Sequence, residues 1–371
     1  MTFTAAKKQR GIALITVLLI IALITIIAAE MAVRLQMQIK RVSNIGNNQQ
    51  AYWYAVGGES LAKLVLDEAY KEDNGRLHLQ QPWAVEEMTY PLEGGAVITG
   101  SIKDLSSCFN INAVTRVTAT IQNQQQELTE EEIANQEDER SAAELEEREQ
   151  NTGNTTNREA LDPDPEQQFK ALLELAGIDS YDAETIRDSV ADWLDEDSNT
   201  RGYGAEDYMY EAKVSPYLPA NSWFVDRSEL RLIQGFDTMP EGMQRLDKVI
   251  EHICIVPKVN DMKLNVNTIK VEDAIVMAAM FDNKLTEAAA KQIIENRPDD
   301  GFRDINDFWQ QSEIKAIGKI SQNLKQQFVV TSEYFQLQTK TEYNQSFFNL
   351  SSVIALDKQG KFNVIARKIG V

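Results

Sequence analysis

The residues best placed to do chemistry lie between Asp192 and Asp207, where the chain reads DWLDEDSNTRGYGAED. Asp195, Asp197 and Glu206 supply carboxylates, Asn199 an amide oxygen, Arg201 a backbone carbonyl and Asp207 one more carboxylate. Anionic oxygens crowded into one short loop repel each other unless a cation sits among them. Hard oxygen donors at this density suit calcium, which takes about six to eight oxygens and accepts a bidentate carboxylate. The role is structural: no histidine or candidate nucleophile is paired with the loop, so hydrolysis has nothing to act through. The plainer alternative is an acidic surface turn closing a helix that ends at Leu194.

The spacing favours the ion. Counted from Asp195, the donors Asp197, Asn199, the Arg201 carbonyl and Glu206 fall at the offsets of an EF-hand loop. The glycine such a loop needs at its sharp turn is replaced by Thr200, so a true match fails there, although Gly202 and Gly204 still permit a tight loop. Asp162-Pro163-Asp164-Pro165-Glu166 offers a weaker second cluster. The two cysteines, Cys108 and Cys254, are an even pair and read as one disulfide if the chain is exported, or otherwise as two buried thiols. The two histidines, His78 and His252, are too few and too far apart for a zinc site or a triad.

The elements that must position these residues follow from patterning. Residues 1–10 carry Lys7, Lys8 and Arg10, then Gly11 precedes an uncharged apolar run from Ile12 to Ala29. That run is at the short end for a membrane span, and its basic flank keeps the first residues cytoplasmic. Beyond it Ala32, Leu35, Ile39, Val42 and Ile45 keep helical spacing, and no proline occurs before Pro82, so one helix is expected over 12–70. Strands are expected at 95–104, near 114–121 and over 328–368, with a turn at Asp357–Gly360. Helices are expected after Pro165 up to a stop at Gly177, from Asp182 through Leu194, and at 226–235, 272–281, 286–296 and 304–311. Residues 122–166 are acidic and poor in apolar side chains, either a solvated helix over 129–150 plus a linker or a disordered insertion. The fold class is therefore α+β. Its parts are a leader 1–11, a membrane and stem helix 12–70, a first sheet part 71–121, the insertion 122–166, a helical domain 167–325 and closing strands 326–371. A formal charge of −20 excludes a nucleic-acid face, and the acidic turn between the helices near 286–311 is no DNA reader.

Taken with the leader, several short pieces carry a family resemblance. They are Arg10-Gly11 before Ile12-Ala13-Leu14-Ile15-Thr16, Phe109-Asn110-Ile111-Asn112, the loop from Asp192 to Tyr210, Glu229–Gly235, Leu264-Asn265-Val266-Asn267-Thr268 and Arg297-Pro298-x-x-Gly301-Phe302. Together they resemble the general secretion pathway protein K family, the large minor pseudopilins of type II secretion. The resemblance implies cleavage between Gly11 and Ile12 by prepilin peptidase, with the apolar helix retained. It implies a pilin-like fold, a long N-terminal helix on an antiparallel sheet, with a helical domain inserted between strands and calcium bound. It also implies an inner-membrane anchor with a periplasmic head. The expected partners are the minor pseudopilins I and J, through them the major pseudopilin filament, the inner-membrane secretion platform and, more distantly, secreted substrates. Thr16 stands at the fifth mature position, where most pseudopilins carry a glutamate that pairs with a neighbour's N-terminal amine; its absence implies a place at the filament tip. The alternatives are a minor pilin of a type IV pilus and a membrane-anchored periplasmic calcium-binding domain outside any filament.

Overall fold

The computed structural model describes residues 12–115 and 160–370. The leader with Gly11, the helix expected over 129–150 and most of the acidic insertion lie outside them. The chain opens with helix α1 (Ile12–Glu72), 61 residues without a break. At about 1.5 Å per residue it is about 90 Å long. Its first part, through Gln50, is exposed almost throughout, and packing begins at Ala51. From there Ala51, Ala55, Gly58, Ala62, Leu66 and Ala69 form one buried stripe. Small residues let the helix approach the sheet closely: a Cβ on Gly58 would stand 3.4 Å from Thr339.

Strands β1 (Met88–Pro91), β2 (Val97–Asp104) and β3 (Phe109–Asn110) follow. Next come helices α2 (Pro165–Leu175), α3 (Ser180–Leu194), α4 (Asp207–Glu211) and α5 (Glu241–Val249). Strands β4 (Ile253–Cys254) and β5 (Leu264–Asn265) precede α6 (Ala274–Met280), α7 (Glu287–Glu295), α8 (Ile305–Trp309), α9 (Ser312–Lys315) and α10 (Gln322–Gln326). The chain closes with β6 (Phe328–Val329), β7 (Tyr334–Tyr343), β8 (Ser346–Leu356) and β9 (Phe362–Ile369).

Five strands form one antiparallel sheet in the order β1-β2-β7-β8-β9. The β2–β7 pair, with Val97 opposite Glu342, brings together strands from the two sides of the helical insert. Alternation places Phe335, Leu337, Ile354 and Phe362 on the face that packs Leu66 and Trp83. The β7–β8 turn uses Asn344 and Gln345, both at positive φ, which suits a two-residue hairpin. At the next turn Asp357 accepts from the backbone N–H groups of Gln359 and Lys361, each at 2.9 Å.

The insert has its own core, in which Phe169, Leu172, Ile186, Val190, Leu246, Met277, Ile293 and Phe328 are buried. Two short parallel bridges, β3–β4 and β5–β6, stitch it to the sheet side. Asn110 and Asn112 reinforce the first, donating to Val259 (2.8 Å) and to Phe224 and Val256 (3.1 Å each). Asn267 clasps Phe302 through both backbone groups (3.0 and 2.7 Å), and Arg297 donates to the carbonyls of Val266 and Ile269. Gly301 sits at positive φ where a Cβ would meet Asn267 at 2.6 Å, so this clasp requires glycine.

Cys108 and Cys254 are joined by a disulfide with Cα atoms 5.6 Å apart, an ordinary separation. It lies at the junction with Leu105, Val256, Tyr334 and Val353. One local expectation is corrected. The segment over 226–235 is a short 3-10 helix, Arg227–Leu232, because the Asp226–Glu229 capping box tightens it. Of the strand expected near 114–121, only Val114 and Thr115 are described, at the end of the 3-10 turn Ile111–Thr115; the rest lies outside the described residues.

Candidate metal centre

The acidic loop hangs between two anchored helices. Helix α2 starts at a capping box of Asp164 and Gln167 with Pro165 at its first position. It stops where Gly177 takes positive φ and the Ile178 N–H closes on the Leu173 carbonyl at 3.1 Å. Helix α3 starts at Asp179, which accepts from the Asp182 N–H. The face bearing Ala183, Ile186, Val190 and Trp193 is buried. Trp193 packs on Tyr210 and Phe224, with ring centroids 5.6 and 6.1 Å away, so both ends of the loop are fixed by the core.

Two acids on α3 shape the loop from beneath. Asp192 is fully buried and accepts from the Arg201 N–H (3.2 Å), while Asp188 accepts from the Tyr203 N–H (3.0 Å). Gly204 then passes directly over Asp192: a Cβ there would lie 1.9 Å from its Oδ2. No side chain fits at that crossing.

Oxygen atoms of Asp195, Asp197 and Glu206 lie within 4.8 Å of one another. Asp195 and Asp197 are half-buried, and Glu206 is 1% exposed. Both Glu206 carboxylate oxygens and Asp195 Oδ1 are buried without a hydrogen-bond partner among the described residues. A carboxylate in that condition is costly. Burial, with the charges of Asp195, Asp207 and Asp197, pushes Glu206 up to about 7. Burial and Asp197 raise Asp195 to about 6, and burial with Glu206 and Asp195 raises Asp192 to about 7. A divalent cation among the three oxygens would reverse this balance and supply the missing partner. The donor set, all hard oxygens, fits calcium.

The other expected ligands are placed differently. Asn199 is exposed and gives its N–H to Asp197 at 2.8 Å. The Arg201 carbonyl accepts from the Gly204 N–H at 3.1 Å, and Asp207 begins α4, outside the three-carboxylate cluster. Sequence reasoning missed the Arg201 side chain. Its guanidinium pairs with Glu166 at 2.5 Å and with Asp192 and Asp195 at 3.4 Å each. It thus neutralises part of the acidic cluster and ties the loop to α2. The second ion cluster expected at 162–166 does not assemble, because its acids have other work. Asp162 binds Ser321 and Asn323, Asp164 caps α2, and Glu166 holds Arg201. The histidines lean on carboxylates elsewhere, His78 on Asp73 (3.4 Å) and His252 on Asp273 (2.6 Å). Thr16 on α1 returns its hydroxyl to the Ala13 carbonyl at 2.9 Å.

Comparison with known proteins fits this architecture. Residues 107–258 and 264–331 match two family models, both described as type II secretion system protein K. A type II secretion system protein K of Pectobacterium carotovorum subsp. carotovorum is 31% identical, the match covering 98% of this chain and 97% of the relative. One of Pseudomonas aeruginosa is 30% identical over 98% of this chain and 94% of the relative. One of Aeromonas hydrophila is 29% identical over 99% and 98%. Among solved structures, the chain is similar to one in the crystal structure of the GspK-GspI-GspJ complex from the enterotoxigenic Escherichia coli type 2 secretion system. That match has a TM-score of 0.67 at 26% identity, covering 89% of this chain and 99% of the other.

Proposed function

The chain belongs to the type II secretion system protein K family, and we propose that it is a minor pseudopilin that caps the tip of the pseudopilus. There it primes assembly and helps drive folded periplasmic proteins across the outer membrane. The observation that carries this reading is α1, one helix from Ile12 to Glu72 whose apolar first part is exposed while its second part is the spine of the head. Cleavage between Gly11 and Ile12 keeps that helix whole as anchor and assembly element. Cleavage near Ala29 would discard the membrane run.

Thr16 supports the tip position. A threonine at the fifth mature residue has no carboxylate to offer the amine of a subunit above, and its hydroxyl is satisfied within its own helix. The helical insert adds bulk on the head that a further subunit would have to clear. By analogy with the complex to which the chain is similar, its partners are minor pseudopilins I and J, and through them the major pseudopilin. Prepilin peptidase and the inner-membrane platform act on the same helix. The anchor lies in the inner membrane with the head in the periplasm, and the role is mechanical and scaffolding rather than enzymatic.

Calcium belongs to this reading as a structural ion. Asp195, Asp197 and Glu206 hold it. Sequencing the mature N-terminus tests the proposal. Methylated Ile12 is expected; an unprocessed Met1 or a start near Ala29 would overturn it.

A further inference from the structure

One stretch of the chain breaks its charge pattern. The molecule holds 57 acidic residues among 371, yet none of the 28 residues between Glu30 and Glu59 is acidic. Arg34, Lys40 and Arg41 lie within that stretch, and all three are exposed. So are Met31, Leu35, Ile39, Val42 and Ile45. Apart from Asn344 reaching Asn47 at 3.5 Å, the head does not pack on the helix until Ala51.

Position makes this pattern meaningful. If the apolar run ends at Ala29, Arg34 stands about 7 Å further along the helix at about 1.5 Å per residue, within the headgroup layer of a bilayer. Lys40 and Arg41 stand about 17 Å beyond Ala29 by the same rise. Side chains on a helix lean toward its N-terminus, here toward the membrane, and long basic side chains reach several ångströms back along apolar surface. Arg34 is partly neutralised by Glu30, its neighbour one turn earlier at 2.5 Å. Lys40 and Arg41 have no carboxylate within ion-pair distance among the described residues.

We propose that Arg34, Lys40 and Arg41 form a cationic collar that binds anionic phospholipid headgroups of the membrane's outer leaflet. The collar holds the neck against the bilayer until the helix is drawn out into a filament. The strongly acidic head is repelled by the same surface and is held off by about 33 Å of helix between Ala29 and Ala51. The inference rests on the orientation in the proposed function, with the residues after Ala29 outside the cytoplasm.

The test uses the full chain reconstituted in phosphatidylcholine vesicles, with trace spin-labelled phosphatidylglycerol or phosphatidylcholine reporting which lipid contacts the protein. The wild type should favour phosphatidylglycerol by about fivefold per uncompensated basic residue near the surface, and high salt should weaken the preference. The triple variant Arg34→Gln, Lys40→Gln, Arg41→Gln should lose most of it. The charge-keeping variant Arg34→Lys, Lys40→Arg, Arg41→Lys should retain it. Lipid preference unchanged in the triple variant would overturn the proposal. So would an unchanged preference with loss of co-assembly with the I and J pseudopilins, which would assign these cations to protein neighbours. Protease protection of the head in sealed vesicles reads orientation separately, so a wrong topology and a wrong collar give different results.

Discussion

Removing calcium should weaken the head at neutral pH and matter little at pH 5. Without the ion, Glu206 keeps its proton up to about 7, against an ordinary 4.5. The folded protein then binds more protons than the unfolded chain across that window. Stability therefore falls as pH rises from about 4.5 to about 7, the reverse of a salt-bridged carboxylate. At about 1.4 kcal/mol per unit, Glu206 contributes a penalty on the order of 3 kcal/mol at pH 7.5. Asp195, raised to about 6, adds to it, though the two titrate together and do not sum. Calcium held by these carboxylates would remove the penalty and stabilise the fold by mass action. The assay is thermal unfolding of residues 35–371 at pH 5 and pH 7.5, each with calcium and with chelator. The gap at pH 7.5 should be roughly 5–10 °C, given about 2–4 °C per kcal/mol in large domains, and it should shrink sharply at pH 5. Equal melting temperatures with and without calcium at pH 7.5 would refute the reasoning.

Other outcomes follow from single contacts. Gly204→Ala should cost about 2–3 kcal/mol and weaken calcium binding in a titration, because its Cβ meets buried Asp192 at 1.9 Å. Gly202→Ala, with Asp188 at 3.8 Å, should change little. Reducing the disulfide, which spans 146 residues, should lower stability by about 2–5 kcal/mol in denaturant titration. Arg367→Ala should cost about 2 kcal/mol, since it strips both guanidinium bonds of 2.7 Å from buried Glu59. Hydrogen exchange should then quicken first in β9.

The long elements were legible because each obeys one period. The proline-free stripe from Ile12 onward marks α1, and the alternation in β7 through β9 marks the sheet. The edge strand β1 was not legible: it has little burial to impose alternation. Nor were the parallel bridges, since two residues carry no period and are set by asparagines reaching about 110–150 positions away. At the site, spacing along one loop was enough to expect the carboxylates of Asp195, Asp197 and Glu206 to lie together. The Arg201–Glu166 pair spans 35 positions and depends on how α2 meets α3, a fact of tertiary packing that no local pattern holds. The glycine at 204 is explained only by Asp192 lying under it.

The tip position is tested most directly by gold-labelled antibody against the head, applied to assembled pseudopili and viewed by electron microscopy. Label at one end of each filament is the predicted result. Label spaced along the shaft would contradict it.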